Sequence, residues 1–104
     1  LSKKKKLTSA QIRHLRGLGH HLSPTVYIGR EGIEQNLLTT LAENIRAHEL
    51  IKIKIGENAP DGRKETAAEL AAASGCELVQ VIGRVCLLFR ANPDLPADQR
   101  IILP

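Results

Sequence analysis

The chain has 104 residues, 42% hydrophobic and 25% charged, which fits one globular domain with a core of its own and excludes a disordered or fibrous class. Its net charge of +4 is unevenly spread: residues 1–30 carry seven Lys or Arg and no acid, while the rest carries eight against eleven acids. That asymmetry predicts a polyanionic partner, and no apolar run approaches the roughly 20 residues that cross a membrane.

Lys3, Lys4, Lys5 and Lys6 form a basic tail, either a solvated terminus or part of a binding surface. The tail runs directly into LTSAQ without the apolar stretch of a signal peptide, so a cytoplasmic location is expected. Thr8-Ser9-Ala10-Gln11 has the form of a capping box and predicts a first helix reaching to about Leu22. Ile12, Leu15, Leu18, Gly19 and Leu22 make its apolar stripe, and Arg13, Arg16 and His20 share another face.

Ser23-Pro24 stops that helix, and the β-branched and aromatic run 25–28 predicts a short strand. Gly29-Arg30-Glu31-Gly32 follows. Two glycines bracketing two residues let the chain turn without Cβ clashes and bring a polyanion to the N–H groups that open the next helix. That second helix carries Ile33, Leu37, Leu38, Leu41, Ala42 and Ile45 at three- and four-residue intervals. Residues 50–55 alternate, with Ile51, Ile53 and Ile55 on one side and Lys52 and Lys54 on the other, as in a half-buried strand.

Residues 56–62 read as a loop and 63–74 as an alanine-rich third helix closed by Gly75. Strands over 76–82 and 85–90 pair as a hairpin about Gly83-Arg84. In that register Cys86 faces Val81, and Cys76 lies roughly 16 Å away at about 3.3 Å per residue, beyond disulfide reach. Two reduced, buried or half-buried thiols are expected. Residues 91–104 lack a period and either wrap the domain or serve as a linker. The element order α-β-α-β-α-β-β predicts an α/β fold. Two right-handed βαβ units and a hairpin make a mixed four-stranded sheet, with the second and third helices on the same face.

Three blocks, LTSAQIRHLRGLGHHLSPTVYIGREGI, HELIKIKI and ELVQVIGRVCLLFR, together resemble the CRM domain family (chloroplast RNA splicing and ribosome maturation), specifically its bacterial single-domain YhbY-like branch. The likeness covers 7–90, leaving 1–6 as a basic tail and 91–104 as a carboxy-terminal extension. It implies an RNA-binding domain similar to the C-terminal domain of bacterial translation initiation factor three, a GxxG loop analogous to that of KH domains, and association with large-subunit precursors during ribosome assembly. Carried over, Gly29, Arg30 and Gly32 form the loop and Arg30 is its basic residue. Glu31 departs from the basic or small character expected there, and either caps the second helix or weakens anion binding.

The expected RNA-binding residues are therefore Gly29, Arg30, Gly32, Arg13, Arg16, His20, Lys52, Lys54 and Lys3 to Lys6. The adjacent His20 and His21 point about 100° apart on a helix and do not converge on a metal, and no nucleophile, phosphate-binding P-loop or carboxylate pair supports catalysis. No enzyme activity, cofactor, metal, small-molecule substrate or membrane partner is expected. Only Tyr27 and Phe89 are aromatic: Phe89 reads as core, and Tyr27 as either core or a contact, so a shape- and phosphate-led grip on folded RNA fits better than base readout. Two other functions fit the sequence: a protein-interaction module docking on a ribosomal protein or assembly factor, or an RNA-splicing CRM domain of a larger protein.

Overall fold

The computed structural model describes residues 6–104. Helix α1 (Ser9–Gly19) opens on the predicted capping box: Gln11 N–H donates to Thr8 Oγ1 at 3.1 Å, and Thr8 N–H donates to Gln11 Oε1 at 3.0 Å. It ends at Gly19 rather than at Leu22. The chain tightens there, His21 N–H donating to Leu18 O and Leu22 N–H to Gly19 O, three residues back instead of four. Gly19 is buried, and a Cβ on it would lie 2.7 Å from Leu87 Cδ2, so the helix end sits close against the sheet.

Strand β1 (Val26–Ile28) leads to helix α2 (Gln35–His48). Ile33 lies outside that helix, because Glu34 is the extended N-cap; Ile33 and Leu38 occupy the two positions of a hydrophobic staple and both pack against the core. Strand β2 (Leu50–Ile55) and helix α3 (Arg63–Ser74) have the expected bounds. Gly75 takes φ +70° after α3, and Cys76 N–H donates to Ala71 O, so Cys76 belongs to the helix stop and strand β3 (Glu77–Ile82) begins one residue later than predicted. Strand β4 (Val85–Phe89) follows the turn at Gly83, whose φ is +57°.

The sheet order is β1-β2-β4-β3. Strand β1 pairs parallel with β2, while β4 runs antiparallel to both β2 and β3. The second βαβ unit is thus split, β2 and β3 running the same way with β4 between them. Cys86 opposes Val81, as the hairpin reading required, and the ladder shifts register between Leu78 and Gln80. Both cysteines are buried thiols, and burial pushes Cys86 up to about 12.

Two cores flank the sheet. Ile51, Ile53, Ile55, Cys86 and Leu88 pack with Leu41 and Ile45 of α2 and Ala67 and Leu70 of α3, placing those helices on one face. Leu50, Val79, Leu87 and Phe89 point the other way, against Leu15 of α1 and against Ile101 and Leu103 of the final segment. That segment is also held by Glu49, which is fully buried at φ +64° after α2. Its carboxylate accepts the N–H groups of Asn92 and Ile101, each at 2.6 Å, and Arg100 Nε lies 3.6 Å away.

Candidate nucleic-acid interface

Strand register places three connections at one end of the sheet. Ile28 pairs with Ile55, so the GREG loop and the loop after β2 emerge together, and Lys54 pairs with Val85, which brings the β3–β4 turn beside them. GREG is a closed turn, with Gly32 N–H donating to Gly29 O at 3.0 Å. Arg30 and Glu31 stand at its two central positions, and Gly32 supplies the φ of +69° that ends it. Helix α2 starts three residues later, so its first N–H groups do not line the loop as the sequence suggested.

The Arg30 side chain is 82% exposed at the tip. Glu31 does not cap α2: its carboxylate lies 4.0 Å from Arg30 Nε, and Glu34 is the N-cap, without a side-chain cap bond. The loop rests against the loop after β2, where a Cβ on Gly32 would meet Pro60 at 3.3 Å.

Tyr27 connects this turn to the sheet. It is 59% exposed, although its strand neighbours Val26 and Ile28 are buried. The ring passes close to two glycines: its Cε2 is 3.6 Å from where a Gly29 Cβ would stand, and a Gly56 Cβ would collide with its hydroxyl. Across the parallel ladder Tyr27 faces Lys54, and both border a shallow hollow with Gly56, Glu57, Asn58 and Arg84. The Arg84 guanidinium donates from Nη1 to Gly56 O at 3.3 Å, which fixes it on the rim. Sequence reading passed over Arg84; its sole trace there is its place in the hairpin turn.

Lys52 and His20 both line a hollow farther along the same sheet face, with Pro24, Gln80, Ile82 and Val85. Arg13 and Arg16 are exposed on α1. Lys6 is not beside the loop, since it borders a hollow with Glu77, Phe89 and Arg90 at the opposite end of the sheet. Lys3, Lys4 and Lys5 lie outside the described residues. Among the described residues, no helix is long and apolar enough to cross a membrane.

The chain is 37% identical over 87 residues to Probable RNA-binding protein PA4753 of Pseudomonas aeruginosa, covering 84% of each chain. It is 34% identical over 98 residues to Probable RNA-binding protein YqeI of Bacillus subtilis, covering 94% of this chain and 99% of that one. The solution structure of the hypothetical protein SAV1595 from Staphylococcus aureus superposes with a TM-score of 0.77 at 36% identity, over 95% of this chain and all of that one. With the CRS1/YhbY (CRM) domain model matching residues 7–90, the α/β fold and these relatives agree, and the chain belongs to the CRM domain family.

Proposed function

We propose that this chain is a non-catalytic, cytoplasmic RNA-binding protein that engages structured ribosomal RNA in large-subunit precursors during ribosome assembly. The observation that carries the reading is Arg30, held out to solvent on a turn closed by its own backbone. Such a tip can approach a phosphodiester with little reorganisation, and a charge-assisted contact to phosphate follows. Gly29 and Gly32 shape the turn, while Lys54 and Lys52 extend the cationic path along the sheet and His20 adds a polar contact beside Lys52. Arg13 and Arg16 supply charge on α1, and the lysine tail adds to the basic charge of the chain.

Family membership and the names of the relatives support RNA as the partner. Co-sedimentation tests the association with ribosomal precursors. Tagged wild-type protein and Arg30→Glu are compared across a salt series in gently lysed cells. Salt-sensitive enrichment of the wild type in large-subunit precursors, lost in the variant, is expected. Absence from all ribosomal fractions would overturn the assembly role. Enrichment indifferent to salt and to ribonuclease would point instead to docking on a ribosomal protein or assembly factor.

A further inference from the structure

We infer that Tyr27 is a stacking platform for an unpaired nucleobase, with Lys54 and Arg84 contacting the phosphates beside it; the inference rests on the RNA-binding reading and adds a second kind of contact to it. A strand of three residues gives Tyr27 little shelter, yet its ring is not adrift. Gly29 and Gly56 leave room for it against the backbone, and any larger residue at 56 would occupy the space of the ring. An aromatic ring set beside two glycines and still 59% exposed is pre-organised for stacking, because the space left to it is narrow and little conformational freedom remains to be lost on binding.

The surroundings select among aromatic partners. Lys54 stands directly opposite Tyr27 in the ladder, Arg84 is pinned to the Gly56 carbonyl, and the Arg30 turn begins two residues after Tyr27. Glu57 lies on the same rim, and Glu31 is engaged with Arg30. A nucleotide satisfies both halves of this surface at once, its base covering the ring and its phosphates meeting the cations. A paired base inside a duplex has no free face to offer, so the site takes an unpaired nucleotide of a loop, bulge or single strand.

The chain has one tyrosine and no tryptophan, so intrinsic fluorescence reports on Tyr27 alone. The full chain is titrated with a short single-stranded oligouridylate and with duplex RNA of equal length, correcting for absorbance with free tyrosine amide. Affinities of Tyr27→Ala and Tyr27→Phe for a labelled strand are measured in parallel. Strong quenching by the single strand with little by the duplex is expected, with Tyr27→Phe close to wild type and Tyr27→Ala weaker by about tenfold. Bound strand without quenching, or Tyr27→Ala binding like wild type, overturns the stacking while leaving the Arg30 reading intact. A wild-type chain that binds neither RNA overturns both. If Tyr27→Ala fails to fold, the contrast between single strand and duplex on the wild type decides.

Discussion

Glu49 and Ile101, separated by 52 residues, are joined by a 2.6 Å hydrogen bond from the Ile101 N–H to a carboxylate with no exposure to solvent. The second carboxylate oxygen accepts Asn92 N–H, so one side chain at the end of α2 anchors both ends of the segment that closes the second core.

Glu49→Gln keeps the size of the side chain but turns one acceptor into a donor facing an N–H. That backbone N–H and the new amide N–H then face each other without an acceptor, at a cost of about 1–3 kcal/mol. Urea denaturation should show that loss, and amide exchange should speed at Asn92 and Ile101. Unchanged stability would mean that the segment is held mainly by Ile101 and Leu103.

Gly56→Ala drives a methyl into the Tyr27 ring and places it 2.9 Å from Asn58 Oδ1. The ring is expected to shift, moving its proton resonances, and stability to fall by about 1–3 kcal/mol. Ring resonances that stay in place would show that the ring does not rest on Gly56.

Glu31→Gln frees Arg30 from an ion pair so exposed that its loss leaves stability within about 0.5 kcal/mol of wild type. RNA affinity should rise, and Arg30→Glu should lower it and flatten the salt dependence by about one phosphate contact. Anisotropy titrations over a potassium chloride series measure both. Weaker binding by Glu31→Gln would assign Glu31 a contact of its own.

Cys86 holds its proton to about pH 12 in the folded chain, against an ordinary value of 9.0. Between those values the unfolded chain binds fewer protons than the folded one, so this contribution to stability is present below pH 9 and is lost as pH rises through that window, by about 1.4 kcal/mol per unit. The readout is the difference in alkaline slope between wild type and Cys86→Ala, which isolates the thiol. A shallower slope in the variant is expected; equal slopes would refute the assignment.

The elements were legible wherever a period or a stop was written in adjacent residues. Ile51, Ile53 and Ile55 alternate over the whole of β2, and Gly75 marks the end of α3. The first helix overran because Leu22 continues the apolar stripe, while the tightening at Gly19 answers to Leu87, far along the chain. Strand order was not legible, since a hairpin can join a parallel pair on either side, and here β4 enters the middle. In the candidate site, the glycine spacing announced a turn at Arg30. The pairing of Glu31 with Arg30, and the arrival of Arg84 beside Gly56, depend on side-chain direction and on register across the sheet. The anchoring role of Glu49 leaves no local trace, because the N–H groups it accepts come from 43 and 52 residues away.

The strands that border the sheet are β1, with three residues, and β3, whose register breaks between Leu78 and Gln80. A short edge and an irregular edge are both poor templates for a further strand, which blunts edge-to-edge aggregation and recognition by β-augmentation alike. Such edges favour contacts made through side chains on the faces and loop tips over contacts made through the backbone ladder.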